Sequence, residues 1–427
     1  MVLCHCKFNE NNLIKIQVRF LTMQCIGTFP EVLLTLQPIM KKDSGIKIGY
    51  DAKRAFSNMT GLGNYSRLVA GTMAGMYPAN TYVLYTPRER ENPRLDRLLM
   101  RGNVEVKTPG RLWRSLPSAW RSAGICGDLA ADGIDLYHGL SNEIPLAPVP
   151  CASVVTIHDL IWRRIPQDYS AIDRRLYDLK YGHAARKADR VIAISECTKA
   201  DIVADWNVDP ARIDVIYQGI DPAFSRPVTF EDRKRIRKTY NLPGRYILAV
   251  GTVQSRKNQL LAVRALEGLP DDITLVIAGR GDRRYGPRVR GAIEEMRLGD
   301  RVRWLENVPF TDLPALYAAA DLSSYTSRYE GFGLPVVESI AAGTPVVACT
   351  GSCLEEAGGP GGIYVDPDDV RGYTEAVRDI LDKTYVRDHM AEAGRRYVRR
   401  FNAKDFASSL MVTYNKAILD YSLKNIK

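Results

Sequence analysis

From residue 46 onward, short apolar runs rich in Val and Ile alternate with segments of helical length. IKIGYDA (46–52), TYVLYT (81–86), DLYHG (135–139), SVVTIHD (153–159), RVIAIS (190–195) and IDVIYQG (213–219) read as strands, and 169–188 reads as a helix between two of them. That alternation predicts right-handed βαβ units on a parallel sheet. A second series follows at YILAVGT (246–252), TLVIAG (274–279), RVRWLE (301–306), DLSSYTS (321–327) and TPVVAC (344–349), apolar on both faces as buried parallel strands are. Prolines at 222, 227 and 243 around a charged middle mark the stretch between the series as a connection. The expected organisation is therefore an extension (1–45) that fits neither series, with Met40 just ahead of KKDSGIKIGYDA, then a Rossmann-like domain over 46–220. A linker (221–243), a second Rossmann-like domain (244–404) and a closing helix (405–427) able to cross back to the first domain complete it. The fold class is α/β, two doubly wound domains with a cleft facing the carboxyl ends of both sheets.

Composition narrows the setting. A chain of 427 residues, 45% of them hydrophobic, is too long for one ordinary core and apolar enough to bury two. The most apolar window, 25–40, contains Glu31 and two prolines, so no membrane span is expected. The first forty residues lack a basic start, an apolar core and a small-residue cleavage site in that order, so a cytoplasmic protein is expected. The tripeptides at Asn58 and Asn64 then read as chance glycosylation matches. Eight scattered cysteines fit reduced, packed thiols. Cys4-His5-Cys6 could be half of a metal site, but no second pair follows at zinc spacing, so no metal is expected. The formal charge of +10 points to an anionic partner, which nucleic acid, a membrane surface or a phosphorylated substrate would each satisfy. Without zinc-finger spacing, an aromatic RNA-binding signature or a long Lys/Arg run, nucleic acid is the weakest of these.

The richest chemistry lies in EGFGLPVVE (330–338), where a glycine loop at a strand end runs into an apolar helix. Pro335 suits the first helical position and Gly343 closes the helix. A helix start aimed into the cleft suits a phosphate, and Gly331 and Gly333 let backbone approach a ligand. Glu330 on the loop and Glu338 in the first helical turn can accept from hydroxyl pairs, as on sugar and ribose rings. Helix-dipole stabilisation by Glu338, with Glu330 in solvent, is the plainer reading. GLGNYSR (61–67) supplies another approach loop, Gly61 and Gly63, ahead of a helix at 64–76. As a dinucleotide fingerprint it fails, because Ser66 stands for the third glycine and no acidic ribose reader ends the second strand.

EGFGLPVVE with the following SIAAGTPVVA resembles the E-x7-E signature of the retaining glycosyltransferases of family 4, which have the GT-B fold of two facing Rossmann-like domains. GLGNYSR, TIHDL (156–160), AISECTK (193–199), VIYQGID (215–221), VGTVQSRKN (250–258) and VIAGRGD (276–282) carry the same likeness, in order, from residue 46 to the C-terminus. The resemblance implies transfer of a hexose from a nucleotide diphosphate sugar to a glycan, lipid-linked or small-molecule acceptor. It places Glu338 on the ribose and Glu330 on the donor sugar. The backbone of Gly331, Phe332, Gly333 and Leu334 would hold sugar and phosphate, Lys257 and Arg256 would neutralise the diphosphate, and Gly61 and Gly63 would approach it from across the cleft. An exposed basic pair is the plainer reading of 256–257. His158 is placed at the catalytic centre, hydrogen-bonded to donor or acceptor. His138 is as well explained by loop stabilisation, Asp159 could orient the His158 ring or cap the next turn, and Ser195 could simply cap a helix.

No nucleophile for a double displacement stands out, so the resemblance favours a front-face reaction in which the leaving diphosphate helps deprotonate the acceptor. The only DxD spacing noted, Asp366-Pro367-Asp368, lies in a turn, and neither a metal nor a tightly bound cofactor is expected. The general look is mannosyltransferase-like, of the kind used in polysaccharide biosynthesis, which makes GDP-mannose the first donor and a UDP-sugar the second. GSCLEEAGG (351–359) lacks the proline of the commoner S-x-x-P-E form, which weakens inference about base contacts there. The alternatives are another GT-B enzyme, a sugar-nucleotide epimerase or phosphorylase, and a non-catalytic sugar-nucleotide-binding subunit. RLWRSLPSAWR (111–121) interleaves Arg with Trp and Leu; core packing is the favoured reading, with peripheral association at the inner face of a membrane the other.

Overall fold

The computed structural model describes residues 4–7, 15–18 and 45–426. The first forty-five residues form a unit of their own. Its described part is an antiparallel pair, β1 (Cys4–Lys7) and β2 (Lys15–Val18), with Cys4 opposite Val18. The half metal site considered at Cys4-His5-Cys6 depends on side chains outside the described residues.

The unit from Ile46 onward holds two parallel sheets. The first contains β3 (Lys47–Asp51), β4 (Thr81–Tyr85), β5 (Val104–Lys107), β6 (Leu136–Gly139), β7 (Ala152–Ile157), β8 (Arg190–Ala193) and β9 (Ile213–Val215), in the order β5-β4-β3-β6-β7-β8-β9. The second contains β10 (Arg245–Val250), β11 (Ile273–Ala278), β12 (Val302–Leu305), β13 (Leu322–Tyr325), β14 (Val346–Cys349) and β15 (Gly362–Val365), in the order β12-β11-β10-β13-β14-β15. Each sheet is doubly wound, and the strand order reverses between β3 and β6 (Ile48 opposite Leu136) and between β10 and β13 (Ile247 opposite Leu322). Loops leaving the carboxyl ends of those strands are where such sheets bind ligands. Two edge strands, β5 (VEVK) and β15 (GIYV), escaped the sequence reading. The first is half charged, and the second follows a glycine run, so neither has the apolar signature of the interior strands.

The connecting stretch carries a 3-10 turn at Pro222–Ser225 and a helix at Phe230–Thr239 whose start is fixed by a reciprocal Thr229/Asp232 capping box. Helix Ala403–Lys424 lies against the first sheet, with the Tyr414 hydroxyl 2.8 Å from His138 Nδ1 and 3.3 Å from the Tyr50 hydroxyl. Lys416 and Lys424 donate to Asp214 and Asp189 farther along. The two halves also share one apolar core. Tyr217 of the first half stacks on Phe332 of the second at 5.8 Å, and Phe401 packs edge-on to both. No helix among the described residues is long and apolar enough to cross a membrane.

Candidate active site

Arg256 and Lys257 stand in the loop that leaves β10, and Glu330 in the loop that leaves β13, so the reversal of strand order in the second sheet brings them together. The Glu330 carboxylate lies 2.5 Å from both Arg256 Nη1 and Lys257 Nζ. It also accepts from Ser327 at 2.7 Å and Tyr325 at 3.1 Å. Burial opposes this charge, but the two cations and their hydrogen bonds overcome it and hold the carboxyl down at about 2. Burial lowers the Lys257 ammonium below the usual lysine value, with Glu330 opposing the shift. Asp159 of the first half, its pKa raised to about 6 by burial, adds a second carboxyl within electrostatic reach of Arg256. Glu330 therefore sits inside an ion cluster, neither in solvent nor free to turn its whole charge to a sugar.

The loop 331–333 explains its glycines by contact. A Cβ on Gly331 would stand 2.0 Å from the carbonyl oxygen of His158, so only glycine lets the second half seat on the first at this point. Gly333 has φ of +102° and precedes helix Leu334–Ala341, whose first N–H groups have no side-chain cap. Two sequence expectations are corrected here. Pro335 occupies the second helical position, not the first, and Glu338 lies one turn deeper than the first turn, because the left-handed Gly333 allows the helix to begin at Leu334. The Phe332 side chain is core, which leaves its backbone alone for a ligand.

Glu338 reaches an interdomain cleft of about 760 Å³ walled also by Asn64, Arg94, Asp221, Phe310 and Leu334. Its carboxyl has one long contact, from Tyr317 at 3.5 Å, and burial pushes it up to about 7. Arg94 of the first half lies 5.9 Å over the Phe310 ring of the second, spanning the cleft. Arg94, Phe310 and Asp221 were not singled out in the sequence. The first two sit in loops after β4 and β12, so the rule that ligands bind at carboxyl strand ends would have found them.

On the first half, the helix begins at Gly61, not at 64, so both glycines belong to its first turn. Gly63 is required by the loop behind it, where an added Cβ would meet the Asn58 carbonyl oxygen at 1.8 Å, whereas Gly61 faces open space. Asn64 and Tyr65, next along the helix, line the cleft. His158 follows β7, buried edge-on to Tyr65 with ring centres 4.7 Å apart. Its Nε2 lies 2.9 Å from the Leu140 carbonyl oxygen, which can only accept, so Nε2 carries the proton and Nδ1 the lone pair. Burial lowers its pKa to about 4, and the ring is neutral at physiological pH. Asp159 caps the next turn through the Ile161 N–H, and Ser195 caps helix Glu196–Trp206 through Thr198. His138 is a core residue, bonded to Thr156 and Tyr414.

The structure thus forms two adjoining groups: a seam of His158, Gly331, Glu330, Lys257 and Arg256, and an open cleft containing Glu338 and Leu334. Beyond the seam, Glu356 accepts from the Glu196 N–H at 2.6 Å, so a carboxylate of the second half meets a helix start of the first. Asp368 of the DxD spacing is paired with Arg328. Among the described residues no cluster of three or more His, Cys, Asp or Glu is placed to hold a metal ion.

Residues 230–397 match the family model described as glycosyl transferases group 1, and residues 69–224 that described as glycosyltransferase family 4. D-inositol 3-phosphate glycosyltransferase of Salinispora tropica is 32% identical over 253 residues, 55% of this chain and 52% of that protein. The enzyme of the same name from Mycolicibacterium smegmatis is 30% identical over 246 residues, 56% of this chain and 55% of that protein. The chain spans about half the length of these curated relatives. The fold matches that of Anabaena HepE in complex with UDP-glucose at a TM-score of 0.69 and 21% identity, over 86% of this chain and 99% of that one. WaaG, a glycosyltransferase involved in lipopolysaccharide biosynthesis, matches at 0.61 and 19% identity, over 86% and 98%. Both sheets, their order and the cleft between them are those of the GT-B fold.

Proposed function

We propose, from the premise that this chain belongs to the GT-B glycosyltransferases of the family 4 type, that it transfers a hexose from a nucleotide diphosphate sugar to an acceptor hydroxyl with retention of configuration. The observation that carries this reading is the placement of Glu338, a carboxylate poorly supplied with protein donors, on the wall of the interdomain cleft. Ribose hydroxyls supply the missing donors there. The diphosphate then lies toward the uncapped start of helix Leu334–Ala341 and the cations Arg256 and Lys257. As the bond between the anomeric carbon and the phosphate oxygen breaks, charge grows on the diphosphate, where those groups stabilise it most.

Glu330 makes a poor nucleophile, since two cations and two hydroxyls converge on its Oε1 and hold its charge, with its pKa down at about 2. Neutral His158, with Nε2 bonded to Leu140, can accept a hydrogen bond through Nδ1 but is a weak base. That combination supports a front-face reaction, in which the acceptor proton passes to the departing phosphate. Among donors, UDP-sugars rank ahead of GDP-mannose, because the HepE complex contains UDP-glucose. Acceptor candidates are a glycan, a lipid-linked sugar or a small polyol phosphate, the last suggested by the relatives named for inositol 3-phosphate.

The reading is tested by calorimetric titration of UDP, UDP-glucose, GDP and GDP-mannose into the wild type and Glu338→Gln, with the anomeric product followed by NMR. Saturable binding of one nucleotide series, weakened in the variant, is expected. Absence of binding by every nucleotide would refute it. Turnover of the donor alone to an epimer, or only with free phosphate, would move the protein to another GT-B activity.

A further inference from the structure

Helix Gly61–Met76 buries Tyr65 in the first half, where the residue serves two positions of one strand. Thr156 lies in β7 and His158 just past its end, on the same side of the extended chain. The Tyr65 hydroxyl is 2.9 Å from the Thr156 hydroxyl, and its ring stands perpendicular to the His158 ring with centres 4.7 Å apart. A buried phenol is costly unless its hydroxyl is bonded, so the bond to Thr156 ties this ring to the strand that carries His158.

The His158 ring needs such a wall. Its backbone N–H donates to Asn142 at 2.7 Å and its Nε2 to the Leu140 carbonyl oxygen at 2.9 Å, while Nδ1 has no partner among the described residues. One hydrogen bond pins one ring atom and leaves the plane free to rock about it. Tyr65 is braced in turn from behind. Thr156 Oγ1 is also 2.8 Å from His138 Nε2, and His138 Nδ1 is 2.8 Å from the Tyr414 hydroxyl. Phe406 packs edge-on to Tyr65 with ring centres 6.2 Å apart. Tyr414 and Phe406 both belong to helix Ala403–Lys424, so a chain of contacts runs from that crossing helix through Tyr65 to the imidazole of the seam.

We propose that Tyr65 is a positioning residue, whose ring confines the His158 imidazole to one orientation so that the Nδ1 lone pair meets bound substrate in a fixed direction. The effect on rate rests on the sugar-transfer reading, whereas the orientation of the ring is measurable without turnover. Misplacing such a group by about 1 Å can cost on the order of a hundredfold in rate. A braced tyrosine therefore has a kinetic consequence beyond filling space.

The full chain is labelled with nitrogen-15 histidine, and its imidazole signals are assigned by NMR with His158→Gln. In the wild type, His158 should appear as one neutral ring protonated at Nε2. Tyr65→Leu should mix in the Nδ1–H tautomer and lower kcat for sugar transfer at least about tenfold, with the donor KM changed less than about threefold. Tyr65→Phe keeps the ring and loses only the hydroxyl, so it should recover the Nε2–H signal and a kcat within about threefold of the wild type. The proposal is overturned if Tyr65→Leu lowers the melting temperature yet leaves the His158 signals and kcat as they were, for then the tyrosine only fills the core. A wild-type spectrum already averaged between the two tautomers overturns it with no variant needed. Absence of sugar transfer from every donor, with the His158 signals still moved by Tyr65→Leu, would count against the transfer reading while upholding the confinement of the ring.

Discussion

Gly331 and His158 meet backbone to backbone across the two halves, so closely that a Cβ on Gly331 would stand 2.0 Å from the His158 carbonyl oxygen. The contact fixes Glu330, the residue before it, and His158 in one seam, which makes the glycine a spacer between the proposed donor and acceptor sides.

Gly331→Ala should therefore act as a wedge. The added methyl meets rigid backbone, and overpacking of this kind costs about 1–3 kcal/mol. A lower melting temperature together with a larger radius of gyration by small-angle scattering is expected, with nucleotide affinity at Glu338 largely kept. A variant as compact and active as the wild type would show that the seam is not needed.

Glu330→Gln should behave unlike an ordinary loss of a sugar contact. Removing the charge leaves Arg256 and Lys257 beside each other with no directly paired carboxylate, and breaking a buried pair from one side costs about 3–5 kcal/mol. The cations then look for another anion. A nucleoside diphosphate should raise the melting temperature of this variant by more than that of the wild type, while kcat falls at least about tenfold. An equal rise in both proteins would separate the cluster from the diphosphate.

Much of this was legible in the chain. Strands buried on both faces announce themselves by unbroken Val and Ile, so the interior of both sheets could be read, whereas VEVK at 104–107 and GIYV at 362–365 could not. Glu330, Lys257 and Glu338 were readable from motif likeness, but their mutual geometry was not. Nothing in one dimension says that the loops after β10 and β13 cross, so the pairing of Glu330 with both cations emerges only from strand order. The glycines show the same limit. Gly331 and Gly63 look like ligand-approach residues in sequence, yet what each accommodates is a carbonyl of this chain.

Tyr414→Phe tests how the last helix is held to the first sheet. The hydroxyl bonds to His138 Nδ1 and Tyr50 in a buried site, where burial keeps His138 neutral with a pKa of about 3. Losing those partners should cost about 1–3 kcal/mol. Faster amide exchange confined to 403–424 and to β6 is expected. Exchange that rises uniformly, or not at all, would mean that the apolar contacts alone retain the helix.

Glu338 gives the sharpest pH test, because folding and binding respond to it with opposite signs. Its carboxyl is pushed up to about 7 in the folded protein from an ordinary 4.5, mainly by burial. Over that interval the folded state holds a proton that the unfolded state has released, so this group makes the free protein less stable as pH rises from about 4.5 to 7. Nucleotide binding should run the other way. Ribose hydroxyls donate to the ionised form, so affinity should fall by up to about tenfold for each pH unit below 7. Calorimetry between about pH 5 and 8 should show that slope in the wild type and a weaker, less steep profile in Glu338→Gln, whose stability curve should also lose the decline. Phosphate titrates in the same range, so the variant is the necessary control. If both proteins give the same pH profile, the slope belongs to the phosphate and Glu338 does not hold the ribose.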